Sequence, residues 1–255
     1  MADYQPIKDL YDNSASTYNS YVTDLPQGIL ETQLIASALG DCSGQTVLDL
    51  GGGTGARARQ AVDAGAISVD VVDITPGMLR AGQAVETSLG RNKINWYEAD
   101  ASRPLDHLPL QQYDVVMVNW LFDHAANLES LEGMWQNTTK YLKPRGRFIG
   151  VRSGNPRAAA YQSGKYGVIY KNLEPFPHGV KLHCTILTNP PLDFEATLMD
   201  VVYTGSTEMH TKYGLEDVQL EPFENAEAVR NNPDFWALYL EQPPMVVVKA
   251  RKRSN

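Results

Sequence analysis

Short runs of β-branched and other apolar residues alternate along this chain with stretches whose apolar positions recur every three or four residues. That alternation predicts strands and helices in turn, the mark of β-α-β units and a mostly parallel sheet. Val47-Leu48-Asp49-Leu50 reads as a first buried strand, Val69 to Asp73 as a second, Ile94 to Glu98 as a third and Tyr113 to Val118 as a fourth. Arg147 to Val151 is the fifth, after a tight turn at Lys143-Pro144-Arg145-Gly146. Pro26 opens a helix with Leu30, Leu34, Ile35, Ala38 and Leu39 on one stripe and Gly40 at its stop. The glycines from Gly51 to Gly55 lead into a helix reaching about Ala64. Thr75-Pro76 supplies an N-cap and a first-turn proline for a helix that Gly90 ends. Leu128, Leu131, Trp135, Thr138 and Leu142 share one face of a further helix.

Residues 1–25 are polar and tyrosine-rich, and residues 152–181 lose the periodicity and accumulate glycine and proline, which predicts an insertion over the sheet edge. Leu182 to Thr188 and Phe194 to Val202 read as strands, followed by a short helix around Gly205–Tyr213 and a strand near Val218. A helix through Phe235–Leu240 and a last strand at Met245–Ala250 close the chain. The expected class is α/β, doubly wound.

Composition narrows the function. Of 255 residues, 43% are hydrophobic and 20% charged, which excludes disorder, collagen and coiled coil for the chain as a whole. Twenty-two basic residues against thirty acidic ones give a net charge of −8, the wrong sign for a nonspecific binder of nucleic acid or anionic membrane. Two cysteines, Cys42 and Cys184, make neither a disulfide framework nor a four-ligand zinc site. The first residues show no basic segment followed by an apolar one, and no run approaches 18 apolar residues. A cytoplasmic enzyme acting on something small is expected, without nucleic-acid or membrane partners, as a monomer or homodimer.

Asp49-Leu50-Gly51-Gly52-Gly53-Thr54-Gly55-Ala56 is the strongest local signal, because glycines between a buried strand and a helix let backbone approach a ligand closely. Read as G-x-G-x-x-A it fits a dinucleotide fingerprint, with Asp73 22 residues after Gly51 as the ribose acid. Read from Asp49 as D-x-G-x-G-x-G it fits the nucleoside loop of enzymes that use S-adenosylmethionine. An ionised Asp49 near the first glycine repels a pyrophosphate and suits a cationic sulfonium. Asp100 just past the third strand, Asn119 at the end of the fourth and Leu142-Lys143-Pro144-Arg145-Gly146 before the fifth favour the second reading.

Over residues 40–155 the chain resembles the class I S-adenosylmethionine-dependent methyltransferases. Trp120-Leu121-Phe122, Thr188-Asn189-Pro190-Pro191 and Asn232-Pro233-Asp234-Phe235-Trp236 are similar to strings of a small-molecule branch, the azapteridine N-methyltransferases of toxoflavin biosynthesis. The resemblance implies a Rossmann-like, mostly parallel seven-stranded sheet in a single domain. Residues 1–25 would be an N-terminal lid, 26–151 the cofactor-binding core, 152–200 an insertion contributing to the substrate pocket and 201–255 the C-terminal part of the sheet. It also implies methyl transfer from S-adenosylmethionine to an aromatic or heterocyclic metabolite in secondary metabolism, through an N, O, S or C acceptor.

The resemblance carries roles to particular residues. Gly51, Gly53 and Gly55 would wrap methionine and ribose, Asp73 would accept the ribose hydroxyls, and Ile74 and Met78 would pack on adenine. Asp100 would take the adenine amine, the Ala101 N–H a ring nitrogen, and the Asn119 carbonyl the ammonium. Tyr11 and Tyr18, in a Y-D-x-x-A-x-x-Y opening, either cover the methionine carboxylate or pack on the core with wet hydroxyls. Trp120 and Phe122 would wall the substrate pocket, and His178 would face it from a loop.

His124 is either a general base on the acceptor rim or a cap of the next helix. His183 and Cys184, adjacent on a strand, point to opposite faces, whereas His107 and His210 read as surface residues. No cluster of carboxylates follows strand four or five, so no metal is expected. Two other readings stay open: an NAD-linked oxidoreductase, and a cofactor-binding protein of this fold with non-methylating chemistry.

Overall fold

The computed structural model describes residues 5–203 and 205–254, so the first four residues of the expected lid lie outside it. Helices α1 (Gln5–Asp24) and α2 (Pro26–Leu39) precede β1 (Thr46–Leu50), α3 (Ala56–Asp63), β2 (Ser68–Asp73), α4 (Pro76–Ser88) and β3 (Ile94–Glu98). Then come β4 (Tyr113–Asn119), α5 (Leu128–Lys140), β5 (Leu142–Ser153), α6 (Ala159–Ser163), β6 (Val168–Phe176), β7 (Gly179–Ile186) and β8 (Leu192–Met199). The chain ends through α7 (Asp200–Tyr203), α8 (Glu208–Lys212), β9 (Leu215–Leu220), α9 (Glu227–Asn231), α10 (Pro233–Glu241) and β10 (Met245–Lys252).

Seven strands form one sheet in the order β3-β2-β1-β4-β5-β10-β9. The first five are mutually parallel, and β10 runs antiparallel to both its neighbours. This is a Rossmann-like, doubly wound fold. Successive strand residues point to opposite faces, and both faces are buried, which explains why the strands read as unbroken apolar runs. Val47, Val69, Val71, Val115 and Met117 pack into one core with α2, α3 and α10, whereas Leu48, Leu50, Val72, Val116 and Val118 pack into the other with α5. Among the described residues no helix is long and apolar enough to cross a membrane.

The insertion is more regular than its composition predicts. β6, β7 and β8 form a separate antiparallel sheet, so part of the aperiodic stretch is strand. Its register slips between Lys171 and Glu174, where Asn172 adopts φ 53°, and that bulge breaks the alternation. β5 begins before the predicted turn: Tyr113 pairs with Leu142 and Val115 with Arg147, so Lys143 to Gly146 bulge out within the strand. Leu142 therefore belongs to β5 and not to the preceding helix. Thr75 stands at the N-cap of α4 without a side-chain cap; its backbone N–H donates instead to Asp73 Oδ1 at 2.8 Å.

Candidate functional site

β1 and β4 are neighbours, and chain order departs from them in opposite directions across the sheet. A crevice opens at such a switch point beyond the carboxyl ends of the strands. The loop that enters it bends sharply, with Gly51, Gly53 and Gly55 at φ of 71°, 54° and 71°, values that favour glycine. The cavity there is lined by this loop, by the ends of β2, β3 and β4, and by α1 as a roof. α1 is tied to the loop by Asn19 Oδ1, which accepts from Thr54 Oγ1 at 2.6 Å.

Most of the residues singled out in the sequence line this one cavity: Tyr11, Tyr18, Asp49, Gly51 and Gly53 from roof and loop, and Asp73, Ile74, Met78, Asp100, Ala101 and Asn119 from the strand ends beyond. Asp49 is fully buried; neither carboxylate oxygen makes a hydrogen bond of ordinary geometry, although the Ala58 N–H and the Asn119 side chain approach it. Burial pushes its carboxyl up to about 7, with Arg57 the main opposing influence. Asp49 is thus not fully ionised as its place in the motif suggests: at neutral pH, with no ligand cation added to the influence of Arg57, it is close to half protonated.

Asp73 accepts from Gly53 N–H through Oδ2 at 2.8 Å, which clamps the loop to β2. Asp100 accepts from Ser102 N–H at 2.8 Å. Both side-chain polar atoms of Asn119 are buried without a hydrogen bond of ordinary geometry. Tyr11 and Tyr18, one above the other on α1, meet edge to face with centroids 5.7 Å apart.

Sequence reasoning missed a buried ion pair in the cavity wall. Glu31 Oε1 accepts from Arg57 Nε at 3.2 Å and Nη2 at 2.6 Å, while Oε2 accepts from Tyr21 Oη at 2.9 Å and Trp120 Nε1 at 2.8 Å. One carboxylate thus joins α1, α2, α3 and the end of β4. The available signal was a glutamate on the apolar stripe of α2, next to Leu30 and one turn before Ile35. Thr54 and Leu121 also line the cavity and were not singled out.

Three expected site residues lie elsewhere. Gly55 is outside the cavity lining; a Cβ placed on it would stand 2.4 Å from the Trp96 ring, so its role is close packing of loop on β3. Gly55→Ala is therefore expected to cost roughly 1–3 kcal/mol through overpacking, read as a lower melting temperature. Phe122 stacks on Trp135 at 4.2 Å inside the α5 core, because the 3₁₀ turn Leu121–His124 carries it away from the crevice. His178, at φ 79°, is exposed in the β6–β7 hairpin and lines no cavity described here. His210, read as a surface residue, is only 3% exposed and packs against Trp135 and Phe148.

A second chamber adjoins the first, and Tyr11, Tyr18, Trp120 and His124 border both. Its far wall is the second sheet: alternation places Cys184 and Ile186 of β7 and Phe194, Ala196 and Leu198 of β8 on the inner face. His183 lies outward between Asp193 and Glu195, at 3.0 and 2.9 Å, on the exposed side. His124 is not the cap of α5, which is a capping box of Asn127 and Ser130. Its ring meets Tyr11 edge to face at 5.8 Å, and burial lowers the imidazole to about 4, leaving it neutral and weakly basic. Among the described residues no three His, Cys, Asp or Glu side chains gather as metal ligands do.

Residues 47–146, from β1 into the bulge of β5, match the family model described as a methyltransferase domain. A curated relative, demethylmenaquinone methyltransferase of Tropheryma whipplei (strain Twist), is 26% identical over 159 residues, 59% of this chain. The match spans 60% of that relative's length. Among solved structures, the CcbJ methyltransferase of Streptomyces caelestis superimposes with a TM-score of 0.62 at 18% identity, covering 96% of this chain and 98% of that one. A DhpI–SAM–HEP complex gives 0.63 at 18% identity over 98% and 99%. The glycopeptide N-methyltransferase MtfA with S-adenosylhomocysteine gives 0.59 at 16% identity over 88% and 90%. At these identities the structures establish a shared fold.

Proposed function

We propose that this chain transfers a methyl group from S-adenosylmethionine to a small aromatic or heterocyclic metabolite by in-line displacement. The observation that carries the reading is Asp49, a buried carboxylate at the glycine loop without a hydrogen bond of ordinary geometry, inside a cavity rimmed by Asp73 and Asp100. Such a rim suits a sulfonium and an ammonium and disfavours a diphosphate. The matched methyltransferase segment and the ligands named for the DhpI and MtfA structures support the same donor.

Each group then has a task. Asp73, anchored by the N–H groups of Gly53 and Thr75, is placed at the end of β2 to accept from the ribose hydroxyls. Asp100 and the Ala101 N–H read adenine, Ile74 and Met78 flank it, and the Asn119 carbonyl takes the ammonium. Tyr11 and Tyr18 close over the methionine end from α1. Trp120, held by Glu31, forms the wall between donor and acceptor chambers. The residues before Pro26 act as lid, and the second sheet as the cover of the acceptor.

Aligning the acceptor lone pair with the methyl–sulfur bond is the main catalytic device, worth about 7–11 kcal/mol in the best intramolecular models. His124, far less basic than neutral pH requires, shapes the rim. The branch resemblance suggests a place in secondary metabolism and leaves an N, O, S or C acceptor open.

Calorimetry decides between donors. Heat is expected with S-adenosylmethionine and S-adenosylhomocysteine, and none with NAD. A signal with NAD alone would replace this reading by the oxidoreductase one. Product analysis with labelled donor separates methyl transfer from binding without transfer.

A further inference from the structure

Among the described residues, two side chains on the acceptor chamber have buried polar atoms with no hydrogen bond of ordinary geometry. Asp123 is 6% exposed; its Oδ1 accepts from Ser153 N–H at 3.0 Å, the Ser153 hydroxyl lies beside the carboxylate, and Asp123 Oδ2 makes no hydrogen bond of ordinary geometry. Gln27 is 2% exposed, and its Oε1 likewise has no partner. The orientation of the Gln27 amide follows from its neighbours. Tyr21 has one proton and donates it to Glu31 at 2.9 Å, so the Tyr21 oxygen must accept, from Gln27 Nε2 at 3.3 Å. The unpaired atom of Gln27, itself a lining residue of the chamber, is therefore an acceptor.

Unpaired buried acceptors are costly and rare in a native interior unless a ligand completes them. The remaining lining is aromatic and aliphatic: Tyr170, Phe194, Val168, Ile186 and Leu198 among others. Among the described residues no lysine or arginine lines the chamber, and Arg152 behind Asp123 is turned to the carbonyls of Val202 and Ser206.

Resting on the methyl-transfer reading, we propose that Asp123 and Gln27 form the recognition pair of the acceptor subsite, which takes a flat aromatic ring bearing an N–H or O–H and no negative charge. The two acceptors orient the donor hydrogen while the rings of the second sheet hold the plane. As the heteroatom lone pair forms its bond to the methyl carbon, the carbon–sulfur bond breaks and its electron pair stays on sulfur. The displaced heteroatom proton passes to Asp123 Oδ2. Burial raises the Asp123 carboxyl to about 6, so it is largely ionised at neutral pH and is a better proton acceptor there than His124. Burial keeps Tyr11, Tyr18, Tyr21, Tyr170 and Cys184 neutral around it.

The probes are phenol and anisole, matched in shape but differing in the donor hydrogen, titrated by two-dimensional NMR into protein saturated with S-adenosylhomocysteine. Phenol is expected to bind at least tenfold tighter than anisole. Asp123→Asn keeps the Ser153 bond through its oxygen and turns an N–H group to the chamber; the preference is expected to vanish while affinity for S-adenosylhomocysteine is retained. Gln27→Met is expected to weaken phenol several-fold and leave anisole unchanged. Equal affinity in the unsubstituted protein, no binding of either probe, or a preference that survives both substitutions would overturn the proposal. Failure of S-adenosylhomocysteine itself to bind would instead remove the methyl-transfer reading on which it rests.

Discussion

Asp49→Asn is expected to make the protein more stable at pH 8 and a worse binder of S-adenosylmethionine, both at once. Its folded carboxyl titrates near 7, well above the roughly 3.9 of an unfolded aspartate. A carboxyl raised in this way contributes stability fully present below about pH 4 and lost as pH rises through about 7. Above that the native state carries an ionised, buried carboxylate without a hydrogen bond of ordinary geometry. A shift of this size corresponds to about 4 kcal/mol, and an unpartnered amide in its place gives back about 1–3 kcal/mol. The net gain is on the order of 2 kcal/mol, or several degrees in melting temperature for a chain of this length.

The gain should shrink towards pH 5, where the wild-type side chain is protonated. Donor affinity should fall at least tenfold in the variant, and in the wild type it should weaken as pH drops below about 7, because the carboxyl must lose its proton to meet the cation. Calorimetry in two buffers of different ionisation heat reads that proton directly. Undiminished affinity in Asp49→Asn would refute the electrostatic account of the cavity.

Glu31→Ala should produce the largest loss of stability. Glu31 is 2% exposed, and its removal leaves the Arg57 guanidinium, the Tyr21 hydroxyl and the Trp120 indole N–H facing an apolar gap. Breaking a buried pair from one side costs about 3–5 kcal/mol, mostly the penalty of the charge left behind. At about 2–4 °C per kcal/mol, the midpoint should fall by roughly 6–20 °C. Replacing both partners, Glu31→Leu with Arg57→Met, should recover much of that loss, since neither charge is then stranded. A single variant melting within 2 °C of the wild type would show that the pair contributes little.

The parallel half of the sheet was legible because its signals are local. Each strand from Val47 to Val118 is an apolar run, and the glycine loop and the acids after strands two and three fall at fixed offsets from strand ends. What was not legible depends on how the backbone turns or on a distant partner. Trp120 and Phe122 sit two residues apart, yet the positive φ of Trp120 and the turn after it send one ring to the crevice and the other into the core. The strand at 168–176 was hidden by its own bulge. The roles of Glu31 and Asp123 rest on neighbours 10 to 89 residues away, beyond the reach of any short motif.

The order of the chain has a practical corollary. Everything on the donor side comes from residues up to the end of β5, whereas the second sheet departs after Ser153 and is finished before Leu215 rejoins the main sheet. The second sheet is thus one contiguous cassette that leaves the main sheet at the carboxyl end of β5 and rejoins it at the edge strand β9. Exchanging that cassette between proteins of this architecture is expected to change the apolar wall of the second chamber while leaving Asp123 and Gln27 in place.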